Sequence, residues 1–171
     1  MIRSAGSRDG DAIAALYNHY VEHSVATFET EAVAGEAMGD RVVAVQKLGL
    51  PWLVMEVDGD IVGYACAVRW KQRAAYRHSV ESTIYVANRQ VAKGLGVSLY
   101  GELMRQLDDL DVHAILAGIA LPNAASIGLH EKLGFRKVAH LEQVGRKFGR
   151  WIDVGYWQRL RQPGTDTGGV E

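Results

Sequence analysis

A single cysteine, Cys66, occurs in the 171 residues. It excludes an internal disulfide and fits a reducing compartment, so a cytoplasmic location is expected. An excess of either charge is also missing: 19 Lys and Arg against 20 Asp and Glu give a net charge of −1, with both signs dispersed. No basic face argues for nucleic acid or an anionic membrane, and neither is expected as a partner. No window approaches the roughly 18 apolar residues of a membrane span. The opening Met1-Ile2-Arg3-Ser4 is mixed and polar, not a charged start with an apolar run, so no secretory signal is expected. What remains is a soluble globular domain long enough for a core.

Strand-like and helix-like patterns alternate without an internal repeat. Residues 2–5 read as a short strand. Ser7 can cap a helix whose first turn carries Asp9 and Asp11, favourable near the positive end of the helix dipole. Ile13, Leu16, Tyr17 and Tyr20 continue it at helical spacing. A second helix is predicted over 36–48, ended by Gly49 with Pro51 just beyond. The apolar runs 52–57 and 61–68 flank Asp58-Gly59-Asp60, a strong hairpin signal. A third run, 79–86, is broken by Glu81. After Gly94 and Gly96 comes a helix with Leu95, Leu99, Leu103 and Leu107 on one face, a core stripe too short for a coiled coil. A strand over 113–120, a helix over 126–133 stopped by Gly134, and strands over 135–145 and 151–160 follow. The stretch 162–171, rich in Gly, Thr and Pro, reads as a disordered tail, leaving one domain over 1–161. Alternation with a tight hairpin inside it predicts an α/β fold: one mixed sheet covered by helices, not a purely parallel one.

The segment from Ile84-Tyr85-Val86 to Ala92-Lys93-Gly94-Leu95-Gly96-Val97-Ser98 runs from a strand into a helix N-terminus. Glycines there let backbone approach a ligand, and unpaired N–H groups at a helix start bind anions. A dinucleotide fingerprint would need a third glycine where Leu99 stands, and a P-loop would need Gly-Lys-Ser/Thr at 99–101. Neither is present. A phosphate ligand of another kind is implied, and the pyrophosphate of coenzyme A is the leading candidate. His19 and His23 stand four apart on the first helix, but no third ligand arrives at a recognisable offset, so no metal is expected. No Ser-His-Asp ordering surrounds a strained elbow.

An ordered series of segments carries a family resemblance: Tyr17-Asn18-His19-Tyr20, Pro51-Trp52-Leu53-Val54, AYRHSVESTIYV from Tyr76, Gly94-Leu95-Gly96, Leu121-Pro122-Asn123, Leu129-His130-Glu131 and KFGRWIDVG from Lys147. Over residues 2–161 the sequence resembles the GNAT superfamily of N-acetyltransferases. Within it, the likeness is to phosphinothricin and methionine sulfoximine N-acetyltransferases. The resemblance implies a single-domain, mostly antiparallel sheet of six to seven strands with splayed central strands. It also implies acetyl-CoA as co-substrate and a homodimer, with 147–153 near the interface or pocket rim. The usual loop, Gln/Arg-x-x-Gly-x-Gly/Ala, has Val91 at its first position here, with Gln90 displaced by one and Lys93 nearby. Backbone amides of Ala92 to Val97 should still hold the pyrophosphate, since they do not depend on side-chain identity.

Acetyl transfer from a thioester to an amine needs a neutral amine, a polarised carbonyl and a proton for the leaving thiolate. A free α-amine is largely protonated at neutral pH, so a base is required. Glu81, a carboxylate inside an apolar strand, is the best candidate from the residues, although most such glutamates simply face solvent. The resemblance implies the role of base for it, directly or through water, and burial should raise its pKa. By the same resemblance, backbone N–H groups around Tyr85 and Val86 polarise the thioester. His130 stands where many members carry a tyrosine, and would protonate the thiolate or hold its charge. Asn123 is first a helix cap; the resemblance adds a contact to the pantetheine or phosphate part of the cofactor. Lys71 and Arg73 are ordinary surface cations by composition, but the family's pattern makes them anion-binding groups for an amino-acid analogue, with Phe28, Tyr76 and Thr83 completing the pocket.

Two other readings stay open. One is acetylation of a different amine, such as a protein N-terminus, a lysine or a polyamine, which would call for an open groove. The other is a catalytically silent coenzyme-A-binding sensor. Retention of both Glu81 and His130 weighs against the sensor.

Overall fold

Strand β2 (Trp52–Val57) shows how the sequence divides the core. Its side chains alternate, so that Leu53 and Met55 enter one apolar cluster while Trp52 and Val54 enter another on the opposite face. The computed structural model describes residues 1–87 and 94–161. Ala92, Lys93 and the expected tail over 162–171 therefore lie outside the described residues. The hairpin signal is realised between β2 and β3 (Asp60–Arg69). Asp58 and Gly59 have φ of 53° and 90°, the left-handed pair that a two-residue turn needs to follow strand twist.

With β1 (Ile2–Ser4), β4 (Ser79–Val86), β5 (Ala114–Ala120), β6 (Arg136–Lys147) and β7 (Arg150–Leu160), the strands form one seven-stranded sheet in the order β1-β2-β3-β4-β5-β7-β6. All neighbours are antiparallel except β4 and β5. That one parallel pair needs a crossover, supplied by α3 (Leu95–Asp108). Of the predicted stripe, Leu99, Leu103 and Leu107 are fully buried against one face of the sheet, while Leu95 at the helix start is only partly buried. Helices α1 (Gly10–His23) and α2 (Gly35–Lys47) cover the other face through Ile13, Tyr17, Met38 and Val42. Helix α4 (Ala124–Lys132) follows β5.

The start of α1 differs from expectation. Ser7 does not cap it: residues Ser7–Asp9 form a 3-10 turn, and α1 begins at Gly10 without a side-chain cap. Asp9 is diverted instead. Its carboxylate accepts from the Gly6 N–H at 2.7 Å and takes two hydrogen bonds from Arg3, at 2.7 and 2.9 Å, tying β1 to the helix entrance. Strand β6 runs through Lys147, two residues beyond its predicted end, with a register break between Leu141 and Gly145.

The feature that positions the site is the β4–β5 junction. These strands pair only at Ser79–Ala114, Val80–Ile115 and Glu81–Leu116, whereas β3 pairs with β4 as far as Val86. Past Glu81 the two central strands part. Backbone groups of residues 82–86 that point away from β3 have no strand beside them, as the expected splay requires.

Candidate active site

A cleft of about 580 Å³ opens where β4 and β5 separate. Val86 and Ala120 form its floor, Gly94, Gly96 and Val97 supply the first turn of α3, and Asn123 and Ser126 the first turn of α4. Gly94 has φ +73°, a left-handed helix entry that a side chain would strain. Asn123 caps α4 as predicted, its Oδ1 accepting from the Ser126 N–H at 3.0 Å. Two helix N-termini thus face one cavity of the size expected for a cofactor, and their unpaired N–H groups suit phosphates. On the opposite wall stand Tyr20, Ser24, Val25 and Ala26, from the end of α1 and the loop after it. The Tyr20 hydroxyl donates to Val86 O, fixing α1 to the end of β4.

A second cavity, about 290 Å³, adjoins the cleft, and the two share Val25, Ala26 and Ala120. Glu81 stands in its wall with Gly118, Val154 and Tyr156, while Phe28, Leu141 and Val144 stand at its sides. Its surroundings are mostly apolar, and burial raises the Glu81 pKa above the ordinary carboxylate value, with the Lys71 ammonium pulling the other way. Tyr156 rests edge-on against Trp70, with ring centroids 5.4 Å apart. A half-buried carboxylate of raised pKa, next to the far end of a cofactor-sized cleft, can accept a proton near neutrality.

His130 stands elsewhere. It is 3% exposed and does not line the cleft. Its Nδ1 is 2.7 Å from Ser126 O and its Nε2 is 3.0 Å from the Tyr100 hydroxyl, which in turn meets the Ser82 hydroxyl at 2.7 Å. Burial lowers its pKa, opposed by the Ser126 carbonyl, so the neutral ring donates from Nδ1 and accepts at Nε2. The ring reaches the cleft only through Ser126, whose Oγ lies 3.4 Å from Nδ1.

Residues 2–155 match the model of the acetyltransferase (GNAT) domain. The chain belongs to the GNAT acetyltransferase family. It is similar to phosphinothricin N-acetyltransferase from Streptomyces viridochromogenes, 41% identical over 158 residues that cover 92% of this chain and 86% of the relative. An L-methionine sulfoximine/L-methionine sulfone acetyltransferase from Salmonella typhimurium is 40% identical, with 92% of each chain covered. Among solved structures, a GNAT superfamily phosphinothricin acetyltransferase from Sinorhizobium meliloti in complex with acetyl-CoA superposes with a TM-score of 0.91. That match is 32% identical and spans 100% of this chain and 93% of the other. The chain is therefore an acetyl-CoA-dependent N-acetyltransferase with the GNAT fold.

Within this GNAT domain the predicted site residues separate into groups. Val86, Gly94, Gly96, Val97 and Asn123 line the cleft; Ile84 and Leu95 pack against the core beneath it. Tyr85 points to the other face, where its hydroxyl donates to Ala26 O at 3.2 Å. Glu81 and Phe28 meet in the second cavity. Lys71 is exposed beside Trp70, its ammonium 4.6 Å from the indole centre. Arg73 and Tyr76 are exposed on the β3–β4 connection and line neither cavity. Thr83 lines a separate cavity with Tyr17, Arg41 and Tyr64. Sequence reasoning missed Tyr156, Gly118 and residues 24–27 of the loop that ends at the predicted Phe28. Only Gly118 carried a signal, since glycine inside a strand marks a close approach. Among the described residues, no three potential ligands cluster as a metal site, and no helix is long and apolar enough to cross a membrane.

Proposed function

We propose that the acetyl acceptor is the α-amino group of a small amino-acid analogue of the phosphinothricin or methionine sulfoximine type, bound in the Glu81 cavity. The observation that carries this reading is the wall common to the cleft and that cavity, formed by Val25, Ala26 and Ala120. It lets an amine and a thioester meet in one ternary complex. The cavity is about half the volume of the cofactor cleft, about 290 against 580 Å³, which favours a small acceptor over a peptide.

In this reading an ammonium substrate gives its first proton to Glu81, directly or through water. The C–N bond then forms while the C–S bond breaks, and a second proton leaves nitrogen for the thiolate. Release of coenzyme A thus needs no separate strong acid. Of the backbone N–H groups around Tyr85 and Val86, that of Val86 is on the side away from β3 with no β5 partner, and it polarises the carbonyl from a fixed position. Pyrophosphate binds at the start of α3, at Gly94, Leu95, Gly96 and Val97, with Asn123 at the pantetheine; Ala92 and Lys93 keep their expected part in that loop outside the described residues. Lys71, close enough to Glu81 to affect its protonation, attracts the anionic group of the substrate; Arg73 and Tyr76, which line neither cavity, act on that group only at longer range. Thr83 has no part in this reading. His130 acts at one remove, through Ser126.

The reading extends to a cytoplasmic homodimer. Val138, Leu141, Val144, Phe148 and Trp151 are exposed apolar side chains concentrated on β6, β7 and their connection, an edge that a second copy would cover. Light scattering on the purified protein measures this. The acceptor itself is tested by thiol release from acetyl-CoA against phosphinothricin, methionine sulfoximine, ordinary amino acids, polyamines and short peptides. Preference for polyamines or peptides would overturn the assignment.

A further inference from the structure

Lys147, the last residue of β6, is 4% exposed, and only burial perturbs its ammonium. Long cations are rarely buried without an anionic partner. Here three backbone carbonyls serve instead. Nζ donates to Ser24 O and Thr27 O, each at 2.8 Å, with Tyr20 O at 3.5 Å, matching the three N–H donors of an ammonium to three acceptors. These carbonyls come from the end of α1 and the loop behind it. Tyr20 O also accepts from the Ser24 N–H at 3.0 Å, whereas Ser24 O and Thr27 O lie at the C-cap and in the loop, outside the helical hydrogen-bond ladder.

The loop of residues 24–28 has a particular position. Ser24, Val25 and Ala26 line the cofactor cleft, and Val25, Ala26 and Phe28 line the Glu81 cavity. It also crosses between the halves of the sheet that part beyond Glu81. From the β4 side the Tyr85 hydroxyl holds Ala26 O. From the far edge Lys147 holds Ser24 O and Thr27 O, and the Phe28 ring fills the space that a side chain on Gly145 would need. The polar part of the β6 grip is thus one charged group, and burial pushes its pKa down, a cost that apolar packing would not carry.

We propose that Lys147 is a positioning residue for the acyl acceptor: its ammonium clamps the 24–28 loop across the splay and so sets the shape of the Glu81 cavity. This rests on the proposed acceptor site. A methionine keeps the apolar stem but leaves the carbonyls of Ser24 and Thr27 without a donor, whereas an arginine keeps both charge and donors.

The test compares Lys147→Met and Lys147→Arg with the wild type in acceptor KM, kcat, coenzyme A affinity and amide hydrogen exchange over residues 24–28. In the methionine variant, acceptor KM rises about tenfold or more and loop exchange quickens, while coenzyme A affinity changes less than about threefold. Arginine restores most of the KM and the protection. A folded methionine variant with wild-type acceptor KM and wild-type loop exchange overturns the proposal. So does an arginine variant as impaired in KM as methionine while its loop stays protected. If methionine prevents folding, Lys147→Gln with the same measurements replaces it. If the wild type acetylates no amine, the acceptor reading fails, and loop exchange alone then decides whether the clamp exists.

Discussion

A β-carbon on Gly118 would lie 3.3 Å from Oε1 of Glu81 and 3.4 Å from the ring of Tyr156. The missing side chain is the space in which the carboxylate sits, because β5 passes directly beside it. Gly118→Ala asks Glu81 to give by a few tenths of an ångström. Gly118→Val forces the carboxylate or the Tyr156 ring aside. Displacing a reacting group by about 1 Å can cost about a hundredfold in rate, so the valine variant should lose about that much kcat, and alanine far less. Steady-state kinetics with a matched melting curve checks this, since the fold should survive a change at a cavity wall.

Burial raises the Glu81 pKa, and a base works only when deprotonated. The acid limb of the kcat profile should therefore sit above the ordinary carboxylate value of 4.5, with activity falling as pH drops through it. Glu81→Gln should remove that limb and lower kcat by about 10²–10⁴ while leaving coenzyme A affinity near wild type. Lys71 lowers the Glu81 pKa, so Lys71→Met should move the limb to higher pH. A limb that stays put in the methionine variant would detach Lys71 from the site.

Much of this was legible in sequence because the signals were local. The Leu99–Leu103–Leu107 stripe, the Asp58-Gly59 turn and the Asn123 cap each depend on near neighbours in the chain. Glu81 stood out because a carboxylate interrupted an apolar run. The rest depends on distant partners. Asp9 looked like a favourable first-turn charge, but Arg3 from β1 takes it, and Ser7 sits in a 3-10 turn before the helix rather than at its cap. His130 had the right motif position, yet its orientation follows from Tyr100 and Phe135 packing on its ring, and no spacing rule encodes that. Tyr156 comes to Glu81 only through the sheet order, which sets β7 beside β5, and residues 24–27 come there through Tyr17, Tyr85 and Lys147.

Asp9 also offers a stability test. Its hydrogen bonds from Arg3, and then from the Gly6 N–H, hold its pKa below 3.8. The folded state therefore favours the carboxylate. Its contribution is complete above the unfolded pKa and is lost as pH falls through the lower folded value. Asp9→Asn should cost about 1–3 kcal/mol at neutral pH, since Arg3 loses a charged partner in a partly buried position. The gap in melting temperature between wild type and variant should close as the solution is acidified below 3.8, read by circular dichroism melts across the acid range.

His130 should behave in the opposite kinetic sense to Glu81. Its neutral ring sits in a closed chain, with Nδ1–H donating to Ser126 O, Nε2 accepting from Tyr100, and Ser82 meeting Tyr100 in turn. Burial holds its pKa below 6.5, so it stays neutral where the enzyme works and has no proton to lend the thiolate directly. His130→Asn should therefore leave the shape of the kcat profile intact and lower kcat by less than about tenfold, through a shifted Ser126. Stability should suffer more, because Tyr100 loses its acceptor in the core. The sign with pH follows from the lowered pKa: the ring's contribution is full above 6.5 and lost as pH falls through the folded value. Wild type should thus exceed the variant in melting temperature at pH 8 by more than at pH 5. Loss of the alkaline limb of the kcat profile in the variant would reverse this assignment, because it would mean that an imidazolium supplies the leaving-group proton.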